Sequence, residues 1–197
     1  MAAAKQSQQI YQLHISLDNI RPPIWRRVLV PSDVKLSELS EIILTAMGWM
    51  GYHLHQFIIN GVYYGDPEND DMGEMKNETR VALRTIARME GFKFKYEYDF
   101  GDGWMHTIKV EKILAREDGI VYPVCIKGKR ACPPEDVGGP WGYEDFLNAI
   151  KNPESTEAAE MIEWVGGEFD PEEFDLDDIN AQLSSRKTTG GSFGFGS

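Results

Sequence analysis

The sequence predicts an α+β protein: a mixed β-sheet packed on one main helix, followed by an acidic helical segment toward the C-terminus. Three observations predict it. Several segments in the first two thirds alternate apolar and polar residues, the period of a strand with one buried face. One stretch, Leu36 to Met47, instead repeats its apolar residues at helical spacing. The last third carries nearly all the net negative charge, in runs long enough for surface helices.

The elements follow in order. Tyr11, Leu13, Ile15 and Leu17 alternate with polar neighbours, giving a first strand that runs to about Asp18. Ile20-Arg21-Pro22-Pro23 turns the chain, because proline fixes φ and donates no ladder bond. Ile24 to Val30 returns as a second strand, stopped by Pro31. Leu36, Leu39, Ile42, Ile43, Ala46 and Met47 then mark the main helix, with Gly48 placed to close it in a left-handed conformation. His53 to Ile59 is a third strand, and Asn60-Gly61 is a strong hairpin signal that sends Val62 to Tyr64 back along it. The order β-β-α-β is that of a β-grasp arrangement, an analogy of order that carries no function.

A polar loop from Gly65 to Thr79 and a short helix from Leu83 to Met89 lead into the most patterned segment. Phe92, Phe94, Tyr96, Tyr98 and Phe100 occupy alternate positions, with Lys93, Lys95, Glu97 and Asp99 between them. Gly101-Asp102-Gly103 turns the chain, and Trp104, His106, Ile108 and Val110 resume the apolar face. A three-residue turn sets Phe100 opposite Trp104 and Tyr98 opposite His106. Past Leu114, Tyr122 to Ile126 gives one more strand and Cys132 to Trp141 a rigid proline-glycine loop. Helices are expected at Tyr143 to Ile150, Glu154 to Val165 and about Pro171 to Leu183, the last opened by Asp170-Pro171-Glu172-Glu173. The organisation is thus a flexible stretch over 1–9, one domain over 10–183 (sheet core to 114, loop and acidic helices after it), and a disordered tail over 184–197.

Composition bounds the function. A chain of 197 residues with 42% hydrophobic residues can bury roughly 70% of its unfolded surface in one domain. No apolar run approaches the roughly 20 residues of a membrane span, and MAAAKQSQQ lacks a signal-peptide core, so a cytoplasmic protein is expected. Between Pro133 and Leu183 stand fifteen acids and one base, Lys151, a balance of −14; the rest balances at +2. Such a segment repels phosphate backbones, which makes a nucleic-acid partner unexpected. It is either the solvated face of surface helices or a docking surface for a basic partner.

Three places carry candidate chemistry. His53 and His55 share a strand face, so they are either metal ligands or buried neutral imidazoles. In the aromatic hairpin, Asp99 points away from His106, which leaves no Asp99–His106 dyad, and Asp102 at the tip is a turn residue or a site residue. Glu135 and Asp136 are held between prolines and glycines ahead of Trp141, an arrangement that suits a binding loop or a structural brace. Cys125 and Cys132 read as reduced buried thiols; as metal ligands they need three-dimensional help from His14, His53, His55 or His106. No nucleophile elbow, phosphate-binding loop, dinucleotide fingerprint or H-E-x-x-H motif occurs.

The segments YQLHISLDNIRPPIWRRVLVP, LSELSEIILTAMGWMGYHLHQFIINGVYYG, YEYDFGDGWMHTIKVEKIL and YPVCIKGKRACPPEDVGGPWGYEDFLNAI together resemble the Ri-plasmid open-reading-frame-three-like family. Its members are sometimes labelled TnpR-like or insertion-element passenger proteins. The resemblance runs from Tyr11 to about Leu183 and implies an α+β fold with no established activity. Members often carry a further cysteine in the CPPED loop, where this chain has Val137, a departure that weakens any cysteine-based metal site. The resolvase label does not carry over, because no nucleophilic serine among activating arginines and no basic DNA-binding part is assignable.

The chain therefore reads first as a non-enzymatic binding or protein-interaction module, its surface formed by His53, His55, Asp99, Asp102, Trp104, His106, Glu135, Asp136 and Trp141. A protein or small-molecule partner, basic in character, is expected, with no cofactor. The alternative is a metal-dependent hydrolase using His53, His55, His106, Asp99 and Asp102 with a divalent metal. A DNA-recombination role comes third.

Overall fold

A computed structural model describes residues 9–70 and 73–185 of the chain. The flexible stretch expected before Gln9 and the tail from residue 186 lie outside the described residues, whereas Ser184 and Ser185 close the last helix.

The chain begins in the order read from its sequence: β1 (Gln9–Leu17), β2 (Trp25–Pro31), α1 (Leu36–Met47) and β3 (His55–Ile59). β4 (Val62–Gly65), β5 (Lys76–Asn77), α2 (Leu83–Ile86), β6 (Lys93–Tyr98), β7 (Trp104–Ala115) and β8 (Val124–Lys129) follow. α3 (Gly139–Ile150), α4 (Thr156–Trp164) and α5 (Leu176–Ser185) complete it. The eight strands form one sheet in the order β5-β4-β3-β6-β7-β1-β2-β8. All neighbours are antiparallel except β4 and β5, so the sheet is mixed.

The alternation seen in the sequence becomes the buried face. Leu13 and Ile15 of β1, Phe57 of β3, Tyr96 and Tyr98 of β6 and Trp104 and Ile108 of β7 are all buried on it. Helix α1 covers that face, and its Ser40 hydroxyl meets the Tyr96 hydroxyl at 2.8 Å. Glu38 accepts the Lys35 amide at the start of α1. Gly48, at φ 100, ends it with its N–H on the Leu44 carbonyl. Trp49, immediately beyond, lies with its ring centroid 5.1 Å from Tyr98, 5.6 Å from Trp104 and 5.4 Å from His106.

Arg26 is buried, and among the described residues no carboxylate pairs with it. Its guanidinium donates to the carbonyls of Ala46, Trp25 and Lys129 and lies 5.0 Å from the Phe174 ring centroid. The last turn of α1 thus receives a cation where its exposed carbonyls favour one.

Four expectations need correction. The β6–β7 turn is longer than three residues: β6 stops at Tyr98, so Tyr98 pairs with Trp104 and Tyr96 with His106. The reason is Asp99, which adopts φ 57 and turns its carboxylate onto the following amides, leaving Phe100 at the exposed tip. α2 stops at Ile86, and α3 begins at Gly139, four residues earlier than expected. α5 begins only at Leu176, because Asp170 caps a local turn through the Glu172 amide, while Asp175 accepts the amides of Asp177 and Asp178.

Candidate functional site

Three separate segments meet at one end of the β3–β6–β7 part of the sheet: the lead into β3, the turn after β6, and the loop before α3. Each is held by specific bonds. The turn is built on Asp99, whose Oδ1 accepts the Gly101 amide at 2.9 Å and the Asp102 amide at 3.3 Å. Its carbonyl accepts the Gly103 amide, and its own amide donates to the Leu54 carbonyl, which ties the turn to the lead into β3.

The loop before α3 is tied at both ends. Trp49 Nε1 donates to the Pro133 carbonyl at 2.9 Å. Asp102 Oδ2 accepts the Gly138 amide at 3.1 Å. Two glycines permit this closeness, since a Cβ at Gly139 would stand 2.3 Å from the Asp102 carbonyl and one at Gly142 would stand 1.9 Å from the Val137 carbonyl. The conformational signal in CPPEDVGGPWG is therefore backbone crowding, with the acids carried along on it.

These ties bring four carboxylates to one place. Glu135 accepts the Tyr98 hydroxyl at 2.5 Å and the Met50 amide at 3.1 Å. Burial, reinforced by the Glu135 carboxylate, pushes the Tyr98 phenol well above its usual range, so Tyr98 stays protonated and remains the donor. Asp136, at φ 61, points back toward the sheet. The His53 ring lies between two acids, with Nε2 3.1 Å from Asp136 Oδ1 and Nδ1 3.6 Å from Asp99 Oδ2. Among the described residues, His53, Asp99 and Asp136 are the one group of three or more whose ligand atoms lie within 4.8 Å of one another.

The remaining candidates separate from this group. His53 precedes β3, so it does not share a strand face with His55. His55 turns the other way, its Nε2 3.1 Å from both oxygens of the buried Glu78. His106 and Trp104 belong to the core, fully or almost fully buried, and offer no binding surface. His106 Nδ1 donates to the carbonyls of Trp104 and Tyr96, and burial lowers its pKa from 6.5 to about 4. Trp141 is 81% exposed but stands over a different groove, beside Asn19, Arg21 and Lys151. Cys125 and Cys132 flank Arg26, and burial raises the pKa of both thiols, which keeps them protonated and unreactive. The cysteines and histidines do not gather into a ligand set among the described residues.

Sequence reasoning missed Glu78, which sits in a stretch that reads only as polar loop. It set Tyr98 opposite His106, whereas the Tyr98 hydroxyl donates to Glu135, and it missed Trp49, which lies between Gly48 and Gly51. The pairing of Trp49 with Pro133 spans 84 positions and leaves no local trace.

Around the acids the surface is apolar. Met50, Tyr52 and Leu54 are exposed on the lead into β3, and Phe100 is exposed on the turn. Beside Glu135 and Asp136 opens a hollow of about 540 Å³ walled by Trp49, Pro133, Pro134 and Trp164.

Comparison with known proteins places this architecture. An uncharacterised protein of Sinorhizobium fredii, y4hQ, is 40% identical over 158 residues, covering 80% of this chain and 81% of that protein. The crystal structure of a protein of unknown function from Methanosarcina mazei, MM3350, superposes with a TM-score of 0.80 at 39% identity, over 88% of this chain and 98% of that one. Residues 9–178 match the family described as plasmid pRiA4b ORF-3-like protein, and the chain belongs to that family.

Proposed function

We propose that the protein is a non-enzymatic binding module whose site is the junction of the three segments, and that it takes a cationic partner with apolar flanks, such as a protein segment bearing lysine or arginine. One observation carries this: Asp99, Asp102, Glu135 and Asp136 gather there, and among the described residues no lysine or arginine pairs with any of them. A cation from outside supplies the missing charge, while Met50, Tyr52, Leu54 and Phe100 offer contact area around it. The aromatic wall of the adjoining hollow suits a guanidinium or ammonium held between ring faces and carboxylates. The −14 balance of the last third adds long-range attraction for the same kind of partner.

The metal-dependent hydrolase reading drew its groups from His53, His55, His106, Asp99 and Asp102, and of its histidines His55 faces Glu78 while His106 lies in the core. A recombination role remains the least supported, since the acidic third opposes a DNA backbone.

A fluorescently labelled arginine- and lysine-rich peptide tests the proposal by anisotropy. Binding is expected at low ionic strength, weakening with salt. Neutralising the site with Glu135→Gln and Asp136→Asn together should weaken it at least tenfold. Absence of binding at low salt, or equal binding by the double variant, contradicts the assignment.

A further inference from the structure

We infer that the solvent face of the sheet is an interface for a second copy of this chain, whose acidic helix α4 lies across it. This surface is separate from the junction, and the inference does not rest on the peptide-binding role.

The register of the strands is the first observation. Side chains directly opposite on antiparallel neighbours share one face of the sheet. Lys93 of β6 faces Lys109 of β7, and Lys109 faces His14 of β1. His14 in turn faces Arg27 of β2, and Arg27 faces Lys127 of β8. Five basic side chains therefore form one row across five strands, on the face turned away from the buried Leu13 and Ile15. At about 4.8 Å per strand the row is about 19 Å long.

Like charges directly opposite repel, so such a row destabilises the sheet until anions cover it. Two of its members are eased within the chain. Glu111 accepts two bonds from Arg27. Burial lowers the pKa of His14, with Arg27 and Lys109 adding to it against Glu111, so the imidazole is neutral at physiological pH. Lys93, Lys109 and Lys127 are exposed and form no ion pair among the described residues.

The complementary row lies on the same chain. On α4, Ala158, Met161 and Val165 turn toward the core. Glu157, Glu160 and Glu163 occupy the other side at three-residue intervals, all exposed. Among the described residues no lysine or arginine pairs with them. Three residues of helix rise about 4.5 Å, close to the strand spacing of about 4.8 Å. A helix laid across the strands thus sets successive glutamates over successive strands. Trp164, 52% exposed, continues that helix face. Trp25 borders the basic row, its ring centroid 5.2 Å from His14. Each surface therefore pairs charge with aromatic contact area.

The charge division of the whole chain favours a second copy over a nucleic acid. A phosphate backbone lying along the row meets the −14 balance of residues 133–183 as repulsion. A second copy brings that same acidic third as the complement. The two patches differ, so the contact is heterologous: each copy gives its helix to one neighbour and its sheet to another.

Sedimentation velocity on the full chain tests this over a concentration series. At about 0.15 M salt the net repulsion between copies is screened beyond about 8 Å, while charges in contact still attract. Mass is expected to rise with concentration toward roughly 1 mM and to fall back to the monomer in about 1 M salt. One variant carries Lys93→Glu with Lys109→Glu, the other Glu157→Lys with Glu160→Lys. Each alone should associate at least tenfold more weakly, because like charges then face each other. An equimolar mixture should regain association, since the acidic helix of the first meets the unaltered sheet of the second. Should either prove unfolded by circular dichroism, Lys127→Glu replaces the first and Glu163→Lys the second, with the same pattern expected. A parent that stays monomeric, variants that associate like the parent, or a mixture that stays monomeric overturns the interface. So does a monomeric parent that binds a single-stranded oligonucleotide and loses it on Lys93→Glu with Lys109→Glu, which assigns the face to a phosphate backbone.

Discussion

His106 and Asp99 stand on either side of the β6–β7 turn and set two different kinds of constraint. The imidazole of His106 is fully buried, and burial outweighs its two carbonyl bonds to bring its pKa from 6.5 down to about 4. The unfolded chain therefore binds this proton below about pH 6.5 and the native one only below about 4. The contribution is fully present above 6.5 and is lost as pH falls through that window, by about 3 kcal/mol. Urea unfolding at pH 7 and pH 4.5 should show the loss, and it should shrink in His106→Ala. That variant should also melt several degrees lower, because it opens a cavity among Tyr96, Trp49 and Trp104. A pH dependence identical to the parent's would contradict the assignment. Asp99→Ala should cost about 1–3 kcal/mol, since alanine supplies no acceptor for the turn amides and resists φ 57. Alternation in the sequence placed His106 on the apolar face and Asp99 off it. It could not place Asp99 in the left-handed region, and that single dihedral shifted the pairing so that Tyr96 faces His106.

At the scale of elements, the two connections that matter are stitched by contacts between distant positions. The loop before α3 needs Gly142, where any Cβ collides with the Val137 carbonyl. Gly142→Ala should displace the 133–138 segment and lower Tm by several degrees, and it should weaken the basic peptide as well. Helix α5 is fastened differently. Asn180 accepts the Cys125 amide at 2.8 Å and donates to the Cys125 carbonyl at 2.9 Å, so one side chain completes the outer edge of β8 as another strand would. Asn180→Ala leaves both backbone groups unpaired and should cost about 1–3 kcal/mol, checked by denaturant midpoint. That the last third holds helices was legible only in outline, from the lengths of its charged runs. Their anchors were not, because Asn180 and Asp175 look like any other polar residues of an acidic stretch, and Asp170-Pro171 offered a stronger cap signal than the one used.

For the whole molecule, the strands nearest in sequence pair as hairpins, and these local pairings were legible: β1 with β2, β3 with β4, β6 with β7. The joins between hairpins were not. β1 lies against β7 and β3 against β6, pairings set by which buried faces fit under α1 rather than by any local code. The candidate site inherits this limit. Its histidines, aspartates and glutamate were visible as residue types, but only the sheet order decides that His53 meets Asp99 and Asp136 while His55 and His106 go elsewhere. The charge asymmetry, by contrast, was readable at once, and it now borders the junction directly through Glu135 and Asp136. The most direct test of the junction as the binding surface is a ¹H–¹⁵N correlation spectrum of the labelled protein titrated with the basic peptide. Shifted amides are expected to concentrate at 49–54, 99–103 and 133–138. Shifts centred instead on the groove between Arg21 and Trp141, or spread evenly over the acidic helices, would contradict it.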